Sequence, residues 1–411
     1  MPPRSSACPG LMRIVPARDG ALARVRLAGG ELRREAAHAV AHAAERCGSG
    51  TIEVTNRANL QLRGIRDDAH AELIDIVLAA GLGPTTAGAD DIRNVMLSPL
   101  ASTGTRALAA DIVESMQADA ALHALSPKFA LQIDDGETLA MLDHPHDLWL
   151  SALDNGARFA FGFAGSMPHR EEHAPASGAI ARDDAKRFIL AVLQAFLALA
   201  SVEEHRMRDV LARVGIAGFL HALDFETQHD AALQSWRRAP SDATLRLGAH
   251  ADYVGAQAPL GRLDANTLHA IADLAEERVV MTPWQSVLLP DVHANRMTHV
   301  VDALRALGLA TDPRDPFARL IACAGSSGCA KSRADTKADA HRLAALLPAH
   351  AHAHAHLSGC ERFCAAAHPV KNTLVAVAPG RYDVLRGTHV IAHNLLIEEA
   401  AAWLARSHAD V

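Results

Sequence analysis

Four cysteines near the C-terminal end constrain this chain more than any other feature. They come as two pairs, Cys323 with Cys329 and Cys360 with Cys364. The first pair reads Cys-Ala-Gly-Ser-Ser-Gly-Cys, and the second follows Ser358-Gly359 as Cys-Glu-Arg-Phe-Cys. Any fold that uses them together must close two separate loops on one point. Four thiolates in two short loops are the ligand set of a cubane [4Fe–4S] cluster. Zinc is the rival, but its paired cysteines usually stand two to four residues apart, and the first pair here has five residues between. Disulfides are a third reading, disfavoured for a chain with no secretory signal, because the cytosol keeps thiols reduced.

The remaining composition sets bounds. A chain of 411 residues predicts about two to four domains. Apolar residues make up 49% and aromatic ones only 4%, so the core is expected to be built largely of Ala, Leu and Val. A net charge of −7 argues against nucleic acid as the main partner. Met1–Gly10 has one Arg and no apolar run, unlike a signal peptide. No stretch approaches the ~20 apolar residues of a membrane span. The expectation is a cytoplasmic protein without a membrane partner. Cys8 and Cys47 stand outside the constellation, and Cys47 reads as a small buried hydrophobe at a helix end.

Along the chain, Gly20–Leu27 alternates as a strand, and Glu31–Cys47 reads as an Ala-rich helix stopped by Gly48-Ser49-Gly50. Thr51–Leu62 is predicted as one strand and Asp67–Ala80 as a helix closed by Gly81. A second copy follows later: strand Leu245–Val254, helix Asp264–Glu277, strand Val279–Leu289 and helix Met297–Leu307. Gly30-Glu31-Leu32 aligns with Gly261-Arg262-Leu263, and Val54-Thr55 with Met281-Thr282. This is an internal duplication with a shorter second helix. A different segment follows each copy. The first is predicted to hold a hairpin (Phe129–Ile133 and Thr138–Leu142), a strand Ala157–Phe163 and a helix Asp183–Ala200. The second holds the cysteines, a strand Leu374–Val377 and a closing helix Asn394–Arg406. The implied division is 8–85, 86–240, 241–312 and 313–411.

On a strand, alternate residues share a face. Arg57, Asn59, Gln61 and Arg63 would therefore line one side of the predicted strand. This face is either a solvated edge or a wall for a polyanionic ligand, since Arg binds carboxylates bidentately. Arg93, Asn94 and Lys128 are further polar candidates beside predicted strands.

Taken in order, Thr55-x-Arg57-x-x-x-Gln61, Arg93-Asn94-Val95, Pro127-Lys128-Phe129, Cys-x5-Cys and Cys-x3-Cys resemble the nitrite and sulfite reductase family over nearly the whole chain. The resemblance implies an α+β fold. Two duplicated ferredoxin-like half-domains and two α/β lobes would enclose a central tetrapyrrole cleft, with a [4Fe–4S] cluster on Cys323, Cys329, Cys360 and Cys364. It further implies that Arg57, Asn59, Gln61, Arg63, Arg93, Asn94 and Lys128 bind the tetrapyrrole. Within the family, Cys8-Pro9-Gly10-Leu11, the stretch Thr55–Gly64 and Gly380-Arg381-Tyr382-Asp383 resemble the branch that hydroxylates precorrin-3A with O₂ in aerobic cobalamin synthesis. Sulfite reductases carry a second lysine two residues after the one at Lys128; here that position is Ala130.

On this resemblance the substrate is a metal-free, carboxylate-rich tetrapyrrole, so sirohaem is not expected. A mononuclear non-haem iron is implied, with NADH as ultimate donor. No Gly-x-Gly-x-x-Gly follows a strand, so electrons would enter through a partner reductase or ferredoxin. The run His350, His352, His354 and His356 would share one strand face, and imidazole suits iron. An Ala-rich loop or a polar strand face is the favoured reading, because no carboxylate accompanies the run to complete a facial triad. His368, His144 and His146 are weaker candidates, and a surface loop is the default reading of His144 and His146. The alternative activity is a sirohaem-dependent nitrite or sulfite reductase.

Overall fold

A computed structural model describes residues 8–348, 353–368 and 370–406. The chain forms two compact units. The first is built on Gly81–Ala243 with Val25–Glu31 and the residues before Ile14; the second on Ile14–Arg24, Leu32–Ala80 and Thr244–Val411. The first repeat runs β1 (Val15–Ala17), β2 (Gly20–Val25), β3 (Glu31–Arg33), α1 (Arg34–Cys47), β4 (Thr51–Val54), β5 (Leu60–Ile65) and α2 (His70–Ala79). Helix α1 buries Ala37, Val40, Ala41, Ala44 and Cys47, the three-and-four spacing of one helical face. Gly48 ends it, its N–H returning to Ala44 O.

Then follow β6 (Val95–Leu97), α3 (Thr103–Ala118), β7 (Leu131–Asp134), β8 (His146–Leu153), β9 (Arg158–Gly165), β10 (Gly178–Ala181), α4 (Ala185–Leu199), α5 (Met207–Ala222) and α6 (Ala232–Ser235). The second repeat is β11 (Gly248–Ala249), β12 (Tyr253–Gln257), β13 (Arg262–Asp264), α7 (Ala265–Leu274), β14 (Arg278–Met281), β15 (Ser286–Pro290) and α8 (Met297–Ala306). The last segment is β16 (Leu320–Ala322), α9 (Gly325–Gly328), α10 (Thr336–Leu346), β17 (Ala355–Ser358), β18 (Asn372–Ala378), β19 (Arg381–Arg386), β20 (His389–Leu396) and α11 (Ile397–Arg406).

The duplication extends to backbone geometry. Two of the five-stranded sheets are ordered β1-β2-β5-β4-β13 and β11-β12-β15-β14-β3, so each repeat lends one edge strand to the other's sheet. Ala58 and Gln285 take the left-handed conformation at matching places, φ 55° and 63°, as do Gly64 and Asp291, φ 65° and 63°. His38 of α1 and His269 of α7, also matching positions, face each other with Nδ1 atoms 2.8 Å apart.

The structure departs from several of the expected elements. Leu245–Val254 is not one strand, since residues 250–252 separate β11 from β12. Thr51–Leu62 is not one strand but the hairpin β4–β5, and Val279–Leu289 is likewise the hairpin β14–β15. Both turns are closed by a threonine: Thr55 N–H donates to Asn59 O at 2.8 Å and Thr282 N–H to Ser286 O at 2.9 Å. Each threonine hydroxyl also accepts from the N–H four residues on, a side-chain turn that forms without Gly or Pro in the first repeat and with Pro283 in the second. The hairpin predicted over Phe129–Leu142 does not form. β7 pairs in parallel with β6 and β8, and 138–142 is a covering loop whose Met141 carbonyl accepts from Gln132 Nε2 at 2.8 Å.

Finally, the segments after the two repeats are not different in kind. Their sheets run β6-β7-β8-β9-β10 and β16-β17-β18-β19-β20, each with three parallel strands followed by two antiparallel ones. Among the described residues no helix is long and apolar enough to cross a membrane.

Candidate metal centre and anion-binding residues

The four cysteines sit at the C-terminal ends of two neighbouring parallel strands. Cys323 follows β16 directly, and Cys360 follows β17 after Gly359. Cys329 closes the short α9 turn. Gly359 N–H donates to Cys323 Sγ at 3.2 Å, and Thr336 Oγ1 lies 3.3 Å from the same sulfur. Gly359 is required there, because a Cβ would collide with the Ser332 side chain. The Cys364 thiol is pushed up by desolvation and then by the fields of Cys360, Cys323 and Cys329. Cys364 is exposed, and Cys323, Cys329 and Cys360 are half-buried. Among the described residues no three His, Cys, Asp or Glu side chains are close enough to share a single ion. An all-thiol donor set with N–H donation to sulfur fits an iron–sulfur cluster, and the residues that would hold it are Cys323, Cys329, Cys360 and Cys364.

The β4–β5 hairpin scatters the predicted polar face. Arg57 lies in the turn, half-buried; Asn59 is buried, with its N–H on Thr55 Oγ1. Gln61 and Arg63 belong to β5. The turn reaches the cysteine patch, since Asn56 Nδ2 donates to Cys364 O at 3.4 Å. Arg63 is not a ligand wall. It is 3% exposed and its guanidinium is committed: Nε and Nη2 to both oxygens of Asp19 at 2.8 and 2.9 Å, Nη1 to Glu53 at 3.4 Å, and Nη2 also to Gly328 O at 3.0 Å.

In the first unit, parallel pairing of β6 with β7 brings Arg93, Asn94 and Lys128 together. Asn94 Nδ2 donates to Pro127 O at 2.7 Å and Phe129 O at 3.3 Å, which fixes the backbone on both sides of the exposed Lys128. Arg93 is 7% exposed, with Nη1 on Leu82 O, while Nε and Nη2 have no hydrogen-bond partner. Burial pulls its pKa down to about 10 against the opposing pull of Asp90. Its Nη2 lies 3.9 Å from Asp90 Oδ1, so the guanidinium is ion-paired while Nε and Nη2 keep no hydrogen bond. Ala130 is buried and presents no cation, its N–H donating to Asp147 Oδ2 at 2.9 Å.

Of the histidine run, His350 and His352 lie outside the described residues. His354 is exposed, whereas His356 is buried in β17 with Nε2 unpartnered. Burial, then His368, holds its pKa down at about 4. His144 and His146 are buried, not in a surface loop. Sequence reasoning missed the acidic partners. Glu53 is ringed by Arg262 at 2.8 Å, Arg63 at 3.4 Å and Lys337 at 3.6 Å. Burial pushes its carboxyl up, but the three cations outweigh this and hold it at about 2. Arg26, fully buried, pairs with Asp90 and Asp91. Glu53 and Arg26 each stand between apolar neighbours in sequence, Ile52 and Val54 or Val25 and Leu27, and only tertiary pairing reveals them as interior charges.

The nitrite/sulfite reductase ferredoxin-like half domain matches residues 15–80 and 248–307, the two repeats. The nitrite and sulphite reductase 4Fe-4S domain matches 88–230, which ends before the cysteines and covers the lobe whose strand order the cysteine lobe repeats. A precorrin-3B synthase of Sinorhizobium sp is 27% identical over 93% of this chain and 83% of its own. The ferredoxin–nitrite reductase of Synechococcus elongatus is 26% identical over 84% of this chain and 73% of its own. For the chloroplastic ferredoxin–nitrite reductase of Zea mays the figures are 27%, 72% and 58%. The solved NirA protein of Mycobacterium tuberculosis superposes with a TM-score of 0.72 at 19% identity, over 95% of this chain and 80% of that one, a likeness of fold. With both of its domain types matched on this chain, two half-domains and a lobe, the protein belongs to the nitrite and sulfite reductase family of oxidoreductases.

Proposed function

We propose that this protein is a precorrin-3B synthase, a monooxygenase acting on precorrin-3A. The observation that carries the reading is reciprocal coverage: 93% of this chain aligns with 83% of the Sinorhizobium enzyme, against 58% of the maize nitrite reductase. Ala130 supports it, since a small inorganic anion would lack the second lysine there. The reaction takes O₂, two electrons and two protons. One oxygen atom enters at a meso carbon, the other leaves as water, and an acetate side chain closes the γ-lactone.

Arg93 and Lys128 in the first unit, with Asn94 positioning the lysine, are assigned to substrate carboxylates. Arg57, Asn59 and Gln61 of the β4–β5 hairpin take the same role in the second unit. A bound cluster would supply electrons singly, which triplet O₂ requires. A mononuclear iron and NADH as ultimate donor belong to this reading, and a ferredoxin, named by several relatives, is the proposed direct donor. The four-part division at 8–85, 86–240, 241–312 and 313–411 and a cytoplasmic location are retained as proposals.

The second reading is a sirohaem-dependent nitrite or sulfite reductase, favoured by the 73% coverage of the Synechococcus enzyme. A visible spectrum of the isolated protein separates the two. A broad cluster shoulder without sharp sirohaem bands, together with O₂-dependent turnover of precorrin-3A, supports the first. Stoichiometric sirohaem with nitrite or sulfite reduction overturns it.

A further inference from the structure

Two buried cations outside the substrate assignment converge on the cysteine loop. Arg63 Nη2 donates to Gly328 O at 3.0 Å, one residue before Cys329, and a Cβ at Gly328 would strike that guanidinium. Lys337 Nζ, 7% exposed, donates to Leu260 O at 2.8 Å and Ala322 O at 3.4 Å, the latter one residue before Cys323. Each cation feels its neighbouring cysteine, Arg63 the thiol of Cys329 and Lys337 that of Cys323. Glu53 braces both. Arg63, Lys337 and Glu53 are the largely buried members of this group, and the partly exposed Arg262 and Asp19 complete it, three cations against two carboxylates. Its surplus is positive, beside four groups that carry negative charge as thiolates.

We propose that Arg63 and Lys337, braced by Glu53, are positioning residues that set the reduction potential of a cluster held by the four cysteines. A cluster's potential follows the net charge and hydrogen bonding around its sulfurs, and cations that are themselves buried and fixed beside it stabilise the added electron. The cluster reduction involved is a one-electron gain from an external donor with no bond made or broken. Arg63 thus fixes the loop and biases its redox poise, a role separate from substrate carboxylates. The inference rests on the reading of the cysteines as cluster ligands.

Its test is a spectroelectrochemical titration of the full-length, iron-loaded protein. Arg63→Gln and Lys337→Met are expected to keep four irons per chain and shift the midpoint to more negative potential. Arg63→Lys, which keeps the charge, stays close to wild type, and Glu53→Gln shifts the midpoint the opposite way. Wild-type protein that binds no cluster fails the cysteine reading itself. Iron-loaded variants with unmoved midpoints overturn the inference alone. Loss of iron from every variant, Arg63→Lys included, also overturns it, because the cations would then be structural only.

Discussion

At Cys323 the backbone N–H donates to Leu357 O at 3.2 Å, and at Ser98 in the first unit it donates to Ile133 O at 3.2 Å. Gly359 N–H points at Cys323 Sγ, 3.2 Å away; Asp135 N–H points at Ser98 Oγ, 3.1 Å away. Two sheets of the same order therefore offer the same backbone seat, with sulfur in one and oxygen in the other. The surroundings diverge accordingly. Near Ser98 lie Asp134, paired with Arg238 at 2.7 Å, and Glu137, one of whose oxygens is buried without a partner. Near Cys323 lie Thr336 and Lys337. The cores diverge too. The first unit gathers Phe129, Phe159, Phe161, Phe188, Phe196 and Phe219, while the cysteine lobe packs Ala, Leu and Val around a buried Tyr382. The strand order makes the seat, and the residue placed on it decides whether a soft metal can be held.

That contrast can be broken most sharply at the thiols. Cys360→Ser should reduce bound iron from about four per chain to background in elemental analysis, whereas Ser98→Ala should leave it unchanged; iron loss from both would erase the distinction. Next in size is the aromatic core. Phe161→Ala should cost about 3–5 kcal/mol in denaturant unfolding while iron content stays intact in the folded protein. Arg93→Ala should weaken tetrapyrrole binding by about 1.5–3 kcal/mol, read by fluorescence titration, without altering cluster absorbance.

The smallest effect is at Glu137, whose carboxyl burial and Asp134 push up to about 8 from an ordinary 4.5. In that window the folded state keeps a proton that the unfolded state has lost, so stability falls as pH rises from 4.5 to about 8. Glu137→Gln should remove that slope, a gain of about 1 kcal/mol at pH 8 after allowance for solvent screening, read from melting curves across pH.

The cysteine spacing was fully legible, because ligand loops are local in sequence. So was the duplication, whose signal is repeated apolar periodicity. The β4–β5 hairpin was not legible. Thr55-Asn56-Arg57-Ala58-Asn59 carries neither Gly nor Pro, and the turn depends on a threonine hydroxyl and on Ala58 at φ 55°. The false hairpin at Asp134-Asp135-Gly136 shows the reverse, a strong turn signal that leads into a covering loop. Arg63 looked like one of four wall residues because strand alternation reports a face and not its partner. Asp19, Glu53 and Gly328, far apart in sequence, decide what that face meets.

The proposed oxygen insertion would set this protein apart from the nitrite and sulfite reductases among its relatives. Incubating the iron-loaded protein with precorrin-3A, reduced ferredoxin and isotopically labelled O₂, followed by mass spectrometry of the tetrapyrrole, tests it directly. The predicted result is a lactone product carrying one labelled oxygen atom, formed at a rate that Arg93→Ala lowers. Unchanged precorrin-3A, alongside sirohaem-dependent reduction of nitrite or sulfite by the same preparation, would contradict it.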